Sequence, residues 1–146
     1  MASLTSNRFR KLLMDGDIDL VNDSGIKVML TTAAYTPNKD HNFANQVTNE
    51  LSGTGYAGGF NGSGRKALAS RAVTQDDSND WSYFDAADLT WTAINAGTVG
   101  YAIVIKEVTA DSDSPILVVV DVSPDIVTNG GDYTIQWASD GICKNS

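Results

Sequence analysis

The chain has one cysteine, one histidine and three prolines in 146 residues, and each scarcity excludes something. A lone thiol, Cys143, cannot form an internal disulfide, and one thiol fits synthesis in a reducing cytosol. With His41 as the only histidine, a zinc site of three or four clustered His and Cys ligands cannot be assembled. The same counts weigh against Cys-His or Ser-His nucleophilic catalysis. No serine sits in a G-x-S-x-G elbow: Gly62-Ser63-Gly64 lies in a glycine loop without that context. No apolar run approaches the ~20 residues that span a bilayer, and Leu12–Met14 is too short for the apolar region of a signal peptide. The expectation is a soluble, non-enzymatic chain with no cofactor, no metal and no membrane contact.

Cations are also few. Ten Lys and Arg face eighteen Asp and Glu, for a net charge of −8 and an isoelectric point near 4.3. That balance argues against binding nucleic acid through its phosphates. The distribution is uneven: Arg8, Arg10 and Lys11 stand in the first eleven residues with no acid, leaving −11 on the remainder. An acidic body with a basic N-terminal segment suggests a docking arm, and ordinary surface cations near a helix end read equally well.

Apolar residues make up 42% of the chain and are arranged for strands. Thr98–Val108 (TVGYAIVIKEV) alternates Val99, Tyr101, Ile103 and Ile105 against Ala102, Val104 and Lys106. Pro115–Val122 is nearly continuous in β-branched residues, and the polar tract between them suits a turn. Together they predict a long central hairpin. Ile26–Thr32 predicts a half-buried strand with Ile26, Val28 and Leu30 inward and Lys27, Met29 and Thr31 outward. Further strands are predicted at Asp17–Val21, near Gly55–Phe60, at Ala67–Gln75, Trp81–Asp85, Asp88–Ala93 and Asp132–Ala138, with a loop over Ser123–Asp132.

Ser3–Asp15 predicts a helix capped by Thr5 or Ser6, with Phe9, Leu12 and Leu13 on one face and Gly16 as its stop. Asp40–Val47 predicts two more helical turns. Leu51–Gly64 carries six glycines around Tyr56 and Phe60 and predicts a mobile loop after its strand. The pattern gives an all-β fold: a jelly-roll-like, two-sheet antiparallel β-sandwich with one or two short N-terminal helices. Its expected divisions are an arm at 1–16, a sandwich at 17–142 and a tail at 143–146 without reason to be ordered.

Acidic clusters offer little chemistry. Asp15, Asp17 and Asp19 alternate as in an EF-hand, but Leu20 stands where the loop needs glycine and Ile26 where it needs a bidentate glutamate. Asp76–Asp80 and Asp111–Asp113 read as solvated turns. The aromatics could form a glycan-stacking platform, yet Trp91, Trp137 and Tyr133 fall inside alternating strands and fit a core better. Tyr56 and Phe60 are the aromatics best placed for exposed contacts.

Several stretches, taken in order, resemble the capsid decoration (cement) proteins of tailed bacteriophages. They are the N-terminal helix with Asp17-Ile18-Asp19, Gly25-Ile26-Lys27-Val28-Met29-Leu30-Thr31, and Tyr35-Thr36-Pro37-Asn38-Lys39-Asp40-His41. Leu51-Ser52-Gly53-Thr54-Gly55-Tyr56 and Phe84-Asp85-Ala86-Ala87-Asp88-Leu89-Thr90-Trp91 follow, then Tyr101-Ala102-Ile103-Val104-Ile105-Lys106 and Tyr133-Thr134-Ile135-Gln136-Trp137. The resemblance spans most of residues 5–142. It implies a jelly-roll-like protein made in a bacterial host's cytoplasm and carried on the outer surface of an icosahedral head. There it would bridge major capsid protein subunits, often as a dimer or trimer, without catalytic residues. On this reading Arg8, Phe9, Arg10, Leu12 and Leu13 supply an arm to the capsid or a neighbouring copy, with Tyr56 and Phe60 as further contacts. A tail or head-fibre component and a carbohydrate-binding module are the alternatives.

Overall fold

The computed structural model describes residues 2–146 and is an all-β antiparallel sandwich with 41% of residues in strands and one short α-helix. Its centre is the predicted hairpin, β7 (Thr98–Lys106) and β8 (Ile116–Val127). Around it a five-stranded sheet runs in the order β1-β8-β7-β2-β3, with β1 at Ser3–Thr5, β2 at Ile26–Thr31 and β3 at Lys66–Ala67. The second layer is divided. A three-stranded sheet, β10-β5-β4, joins Cys143–Asn145, Trp81–Asp85 and Ala72–Asp76, and a two-stranded sheet pairs β6 (Leu89–Trp91) with β9 (Tyr133–Ile135).

Both faces of the five-stranded sheet are covered. The larger core gathers Ile26, Val28 and Leu30 of β2, Val99, Ala102 and Val104 of β7, and Leu117, Val118, Val120 and Val122 of β8. Against them pack Phe9, Tyr56, Phe84, Trp91 and Ile135 from the helix, the glycine-rich segment and the smaller sheets. The opposite face carries a smaller core of Met29, Ile103, Ile105, Ile116 and Val119, roofed by Tyr35 and Ala44 from the 32–50 segment. This corrects the expectation for β2: Met29 and Thr31 are buried, because the 32–50 segment returns across a face that alternation alone leaves to solvent. Bridges from Thr31 to Glu50 and from Phe43 to Pro115 pin that roof to the sheet.

Strict alternation also fails along the hairpin, at two irregularities. Val99 shares the larger core with Ala102 and Val104 and not the smaller one with Tyr101, Ile103 and Ile105, because the register shifts at Gly100. A side chain there has no room, since a Cβ on Gly100 would lie 2.4 Å from the backbone nitrogen of Ala33. A second shift lies between Val104 and Ile105, where Leu117 is the extra residue of a bulge and joins Val118 in the larger core.

The N-terminal segment departs from a continuous helix. Ser3–Thr5 pairs with Val118–Val120 as an edge strand, and the helix α1 spans Asn7–Asp15. Ser6 makes the switch: its Oγ accepts from the Phe9 N–H at 3.0 Å and donates to the Ile116 carbonyl at 2.6 Å. A side-chain cap of this kind stabilises a helix by ~1 kcal/mol. At the other end Gly16, with φ 73°, takes the left-handed conformation that closes the helix. Nine residues are too few for a stable isolated helix, so α1 depends on burying Phe9 and Leu12, worth about 1.5–3 kcal/mol each.

Other elements shift. Residues 17–21 form no strand; the Asp19 carboxylate accepts from the N–H groups of Val21 and Asn22 and closes a turn. Residues 40–47 contain a single 3₁₀ turn, Ala44–Gln46, in place of two helical turns. No strand forms at 55–60, and the strand expected over 67–75 is divided into β3 and β4. Half of the loop expected over 123–132, residues 123–127, is instead the continuation of β8, and Cys143–Asn145, expected as tail, pairs with β5. No helix among the described residues is long and apolar enough to cross a membrane.

Candidate interaction surface

Two regions concentrate side chains that could act on something else, and they differ in how completely those side chains are already engaged. The first is the glycine-rich segment. It has no strand of its own, so its backbone is held by side chains, above all Arg65, which is 4% exposed. All five guanidinium N–H groups find carboxylates. Nε and Nη2 donate to Glu50 at 2.8 Å each, Nη1 and Nη2 donate to Asp111 at 2.6 and 3.1 Å, and Nη1 also reaches Glu107 at 3.2 Å. Glu107 is in turn held by Lys27 Nζ at 2.6 Å. Burial opposes the charge on Arg65, but the hydrogen bonds and charges of Glu50 and Asp111 outweigh it and hold its pKa above the ordinary value. Two bidentate carboxylates on one guanidinium bind as fixed forks, and they tie the glycine-rich segment to the β7–β8 connection.

Tyr56 belongs to the same cluster. Its hydroxyl donates to Glu50 at 3.0 Å and accepts from the Leu30 N–H at 2.8 Å. Burial, reinforced by the Glu50 carboxylate, pushes its pKa well above the ordinary tyrosine value. Its ring lies against Gly64, where an added Cβ would approach ring carbons at 2.6 Å, and the Gly64 carbonyl accepts from Trp91 Nε1 at 2.7 Å. Tyr56 is thus a core residue, not an exposed contact, which corrects the sequence expectation; Phe60, half-buried beside the Gly59–Gly62 turn, remains partly accessible.

The second region is the flank of α1. Phe9 and Leu12, expected in a free arm, are buried in the larger core because the helix needs them to dock. Arg8 is half-buried, its guanidinium carbon 5.1 Å from the Phe43 ring centroid, a cation–π contact that keeps it on its own fold. Arg10 and Leu13 are exposed, and with them stands Met14, 89% exposed, which sequence reasoning did not single out. Across from them is the three-stranded sheet, and between the two lies a groove of about 610 Å³.

The remaining acidic and aromatic candidates are engaged locally. Asp15 pairs with Lys11, Asp76 caps the β4–β5 turn through Ser78 and Asn79, and Asp113 caps the turn at Thr109 and Ala110. No group of three or more His, Cys, Asp or Glu among the described residues is arranged to hold a metal ion. The Tyr35 hydroxyl lies 2.8 Å from His41 Nδ1, in the roof of the smaller core. The tryptophans form no common platform: Trp91 is wholly buried, Trp81 lies under the Lys144 ammonium at 4.0 Å, and Trp137 Nε1 donates to the Ala87 carbonyl at 3.1 Å.

Among known proteins, no family model matches the chain, and neither a curated protein nor a solved structure does.

Proposed function

We propose that this chain is a non-enzymatic virion structural protein that binds the outside of an icosahedral phage head and stabilises it by bridging major capsid subunits. The observation that supports the reading is the contrast between the two regions. The densest cluster of chemically capable side chains, Glu50, Tyr56, Arg65, Glu107 and Asp111, is bonded to itself, whereas Leu13, Met14 and Val73, three of the six exposed large apolar side chains among the described residues, line one groove. Such a division suits a protein that works by contact. The ordered resemblance over residues 5–142 supplies the kind of partner.

The mechanism is additive. A weak contact repeated over a symmetric shell, and linked by dimer or trimer formation, becomes strong through effective concentration. The acidic body suits the outside of a head, away from packaged DNA. The test is addition of the purified chain to heads that lack it, followed by measurement of occupancy per capsomer. Saturable, high-copy occupancy on the head is expected. Failure to bind, or labelling of tails or fibres only, would overturn the reading.

A further inference from the structure

The three-stranded sheet ends on β4, and that edge is open. β4 pairs with β5 along one side, and among the described residues no backbone-to-backbone hydrogen bond of Ala72–Asp76 is made outside that ladder. Ala72, Val73, Thr74 and Gln75 are exposed and Asp76 is half-buried. The usual devices that keep an edge strand from pairing are missing: β4 is five residues long, holds no proline or lysine, and runs in unbroken register with β5.

Two opposite charges bracket this edge, Arg71 before it and Asp77 after it. Arg71 is in no ion pair among the described residues; it acts on Asp19 only at a distance, and its Nη1 is buried without a hydrogen-bond partner. A turn of the side chain onto an incoming carboxylate would relieve that group. Asp77 is exposed, and its carboxylate accepts from Gln75 Nε2 within the same strand end.

We propose that β4 pairs with β4 of a second copy, antiparallel about a two-fold axis through Thr74, and joins two three-stranded sheets into one of six strands. The register follows from the edge. Free N–H and C=O groups on an edge belong to alternate residues, so the axis must pass through a residue, where odd positions meet odd and even meet even. Only the axis at Thr74 pairs all five residues of β4. It sets Val73 against Gln75, Ala72 against Asp76 and Arg71 against Asp77 of the second copy, each twice, with no like charges opposed. Parallel pairing in register would set Arg71, Asp76 and Asp77 each against itself, which is destabilising. A foreign strand could add to the same edge, but an edge whose two ends answer each other in charge selects a second copy. The net charge of −8 on each copy opposes approach, and at physiological ionic strength that repulsion is screened beyond ~8 Å. The proposal deepens the function above by naming the contact of its dimer, and rests on that reading only for the use the dimer serves.

The test is sedimentation equilibrium of the full chain at physiological ionic strength over a range of concentrations. A monomer–dimer equilibrium is expected. Arg71→Asp and Asp77→Arg each oppose like charges and should weaken it by about tenfold, whereas the double variant swaps the pair and should restore it. Unchanged urea midpoints will establish that these variants fold. Oxidation with diamide should link Thr74→Cys into a covalent dimer and leave Ala72→Cys monomeric, because only residue 74 faces itself and Cys143 is buried. A chain that sediments as a monomer throughout, a dimer indifferent to both reversals, a double variant that does not recover, or equal crosslinking of the two cysteine variants would overturn the proposal. Protection of the β4 amides from hydrogen exchange on heads alone would overturn it in favour of a foreign strand. Dimers that leave heads unoccupied would overturn the function and leave the proposal. Saturable head binding by a chain that is monomeric in solution does the reverse.

Discussion

The Arg65 cluster and the α1 groove are opposite solutions to placing difficult side chains. Around Arg65, charges are buried in numbers that would be costly alone, and each is made tolerable by a partner from a distant part of the chain. Along the groove, apolar side chains that burial would favour are left in water. The first region is complete and holds shape; the second is incomplete and has capacity for contact. Stability and binding should therefore separate cleanly between them.

The comparison breaks most severely at Arg65. Arg65→Met leaves Glu50, Glu107 and Asp111 without their shared cation, and removal of one partner from such a buried arrangement costs about 3–5 kcal/mol. Urea unfolding should show that loss, moderated by the partial exposure of Glu50 and Asp111. A fully stable variant would mean that the cluster is ornamental.

Next comes Gly64→Ala. Its methyl group meets the Tyr56 ring, and overpacking of this kind costs ~1–3 kcal/mol. Tyr56→Phe should follow, at about 1–2 kcal/mol, because the Leu30 N–H and Glu50 lose the hydroxyl between them. Gly64→Ala strikes the ring, which Phe keeps, and Tyr56→Phe removes only the hydroxyl, so the double variant measures how far the two contacts on one side chain couple.

Smaller effects come from titration. Lys106 holds the Asp23 carboxyl below its ordinary 3.8, and Lys144 does the same for Asp140. Both folded pKa values are depressed, so their contribution is present above 3.8 and lost as pH falls through the folded values. The urea midpoint should decline only on that acid limb, and salt should flatten the decline. At the other extreme burial pushes the Cys143 thiol from 9.0 to about 11, a raised pKa whose contribution is present below 9.0 and lost as pH rises toward 11. A thiol reagent at pH 8 should leave the folded chain unmodified and label it once urea unfolds it; rapid labelling without urea would show that β10 does not cover the thiol.

The smallest expected effect on stability is at the groove. Met14→Asp and Val73→Asp should change the unfolding free energy by no more than ~0.5 kcal/mol, since neither side chain is buried. If they destabilise the fold substantially, the groove is part of the scaffold and the contrast with Arg65 fails.

Much of the scaffold was legible in residue order. The β-branched runs of β7 and β8, the alternation of β2 and the aromatic anchors of β5 announce strands because period two and branched side chains suit a pleated, half-buried surface. The candidate surface was legible only in part. Arg10 and Leu13 remain accessible, while Phe9, Leu12 and Tyr56 are core, because an apolar side chain in sequence looks the same whether it docks inward or outward. Arg65 gave no local signal. Its partners lie 15, 42 and 46 residues away, and nothing in spacing links an arginine to carboxylates that distant.

Sequence by itself determined an all-β chain, its central hairpin, a helix near the N-terminus capped by Thr5 or Ser6 and stopped by Gly16, and an acidic body with a basic beginning. These follow from local rules: side-chain period, capping chemistry and the count of charges. The tertiary structure decided the rest. It made Ser3–Thr5 an edge strand, roofed the second face of the sheet, bent the alternation at Gly100, gathered three carboxylates on Arg65 and left Val73 uncovered beside Met14. Each of those outcomes depends on which distant segments meet, and that is fixed by packing across the sandwich, not by neighbours in the chain.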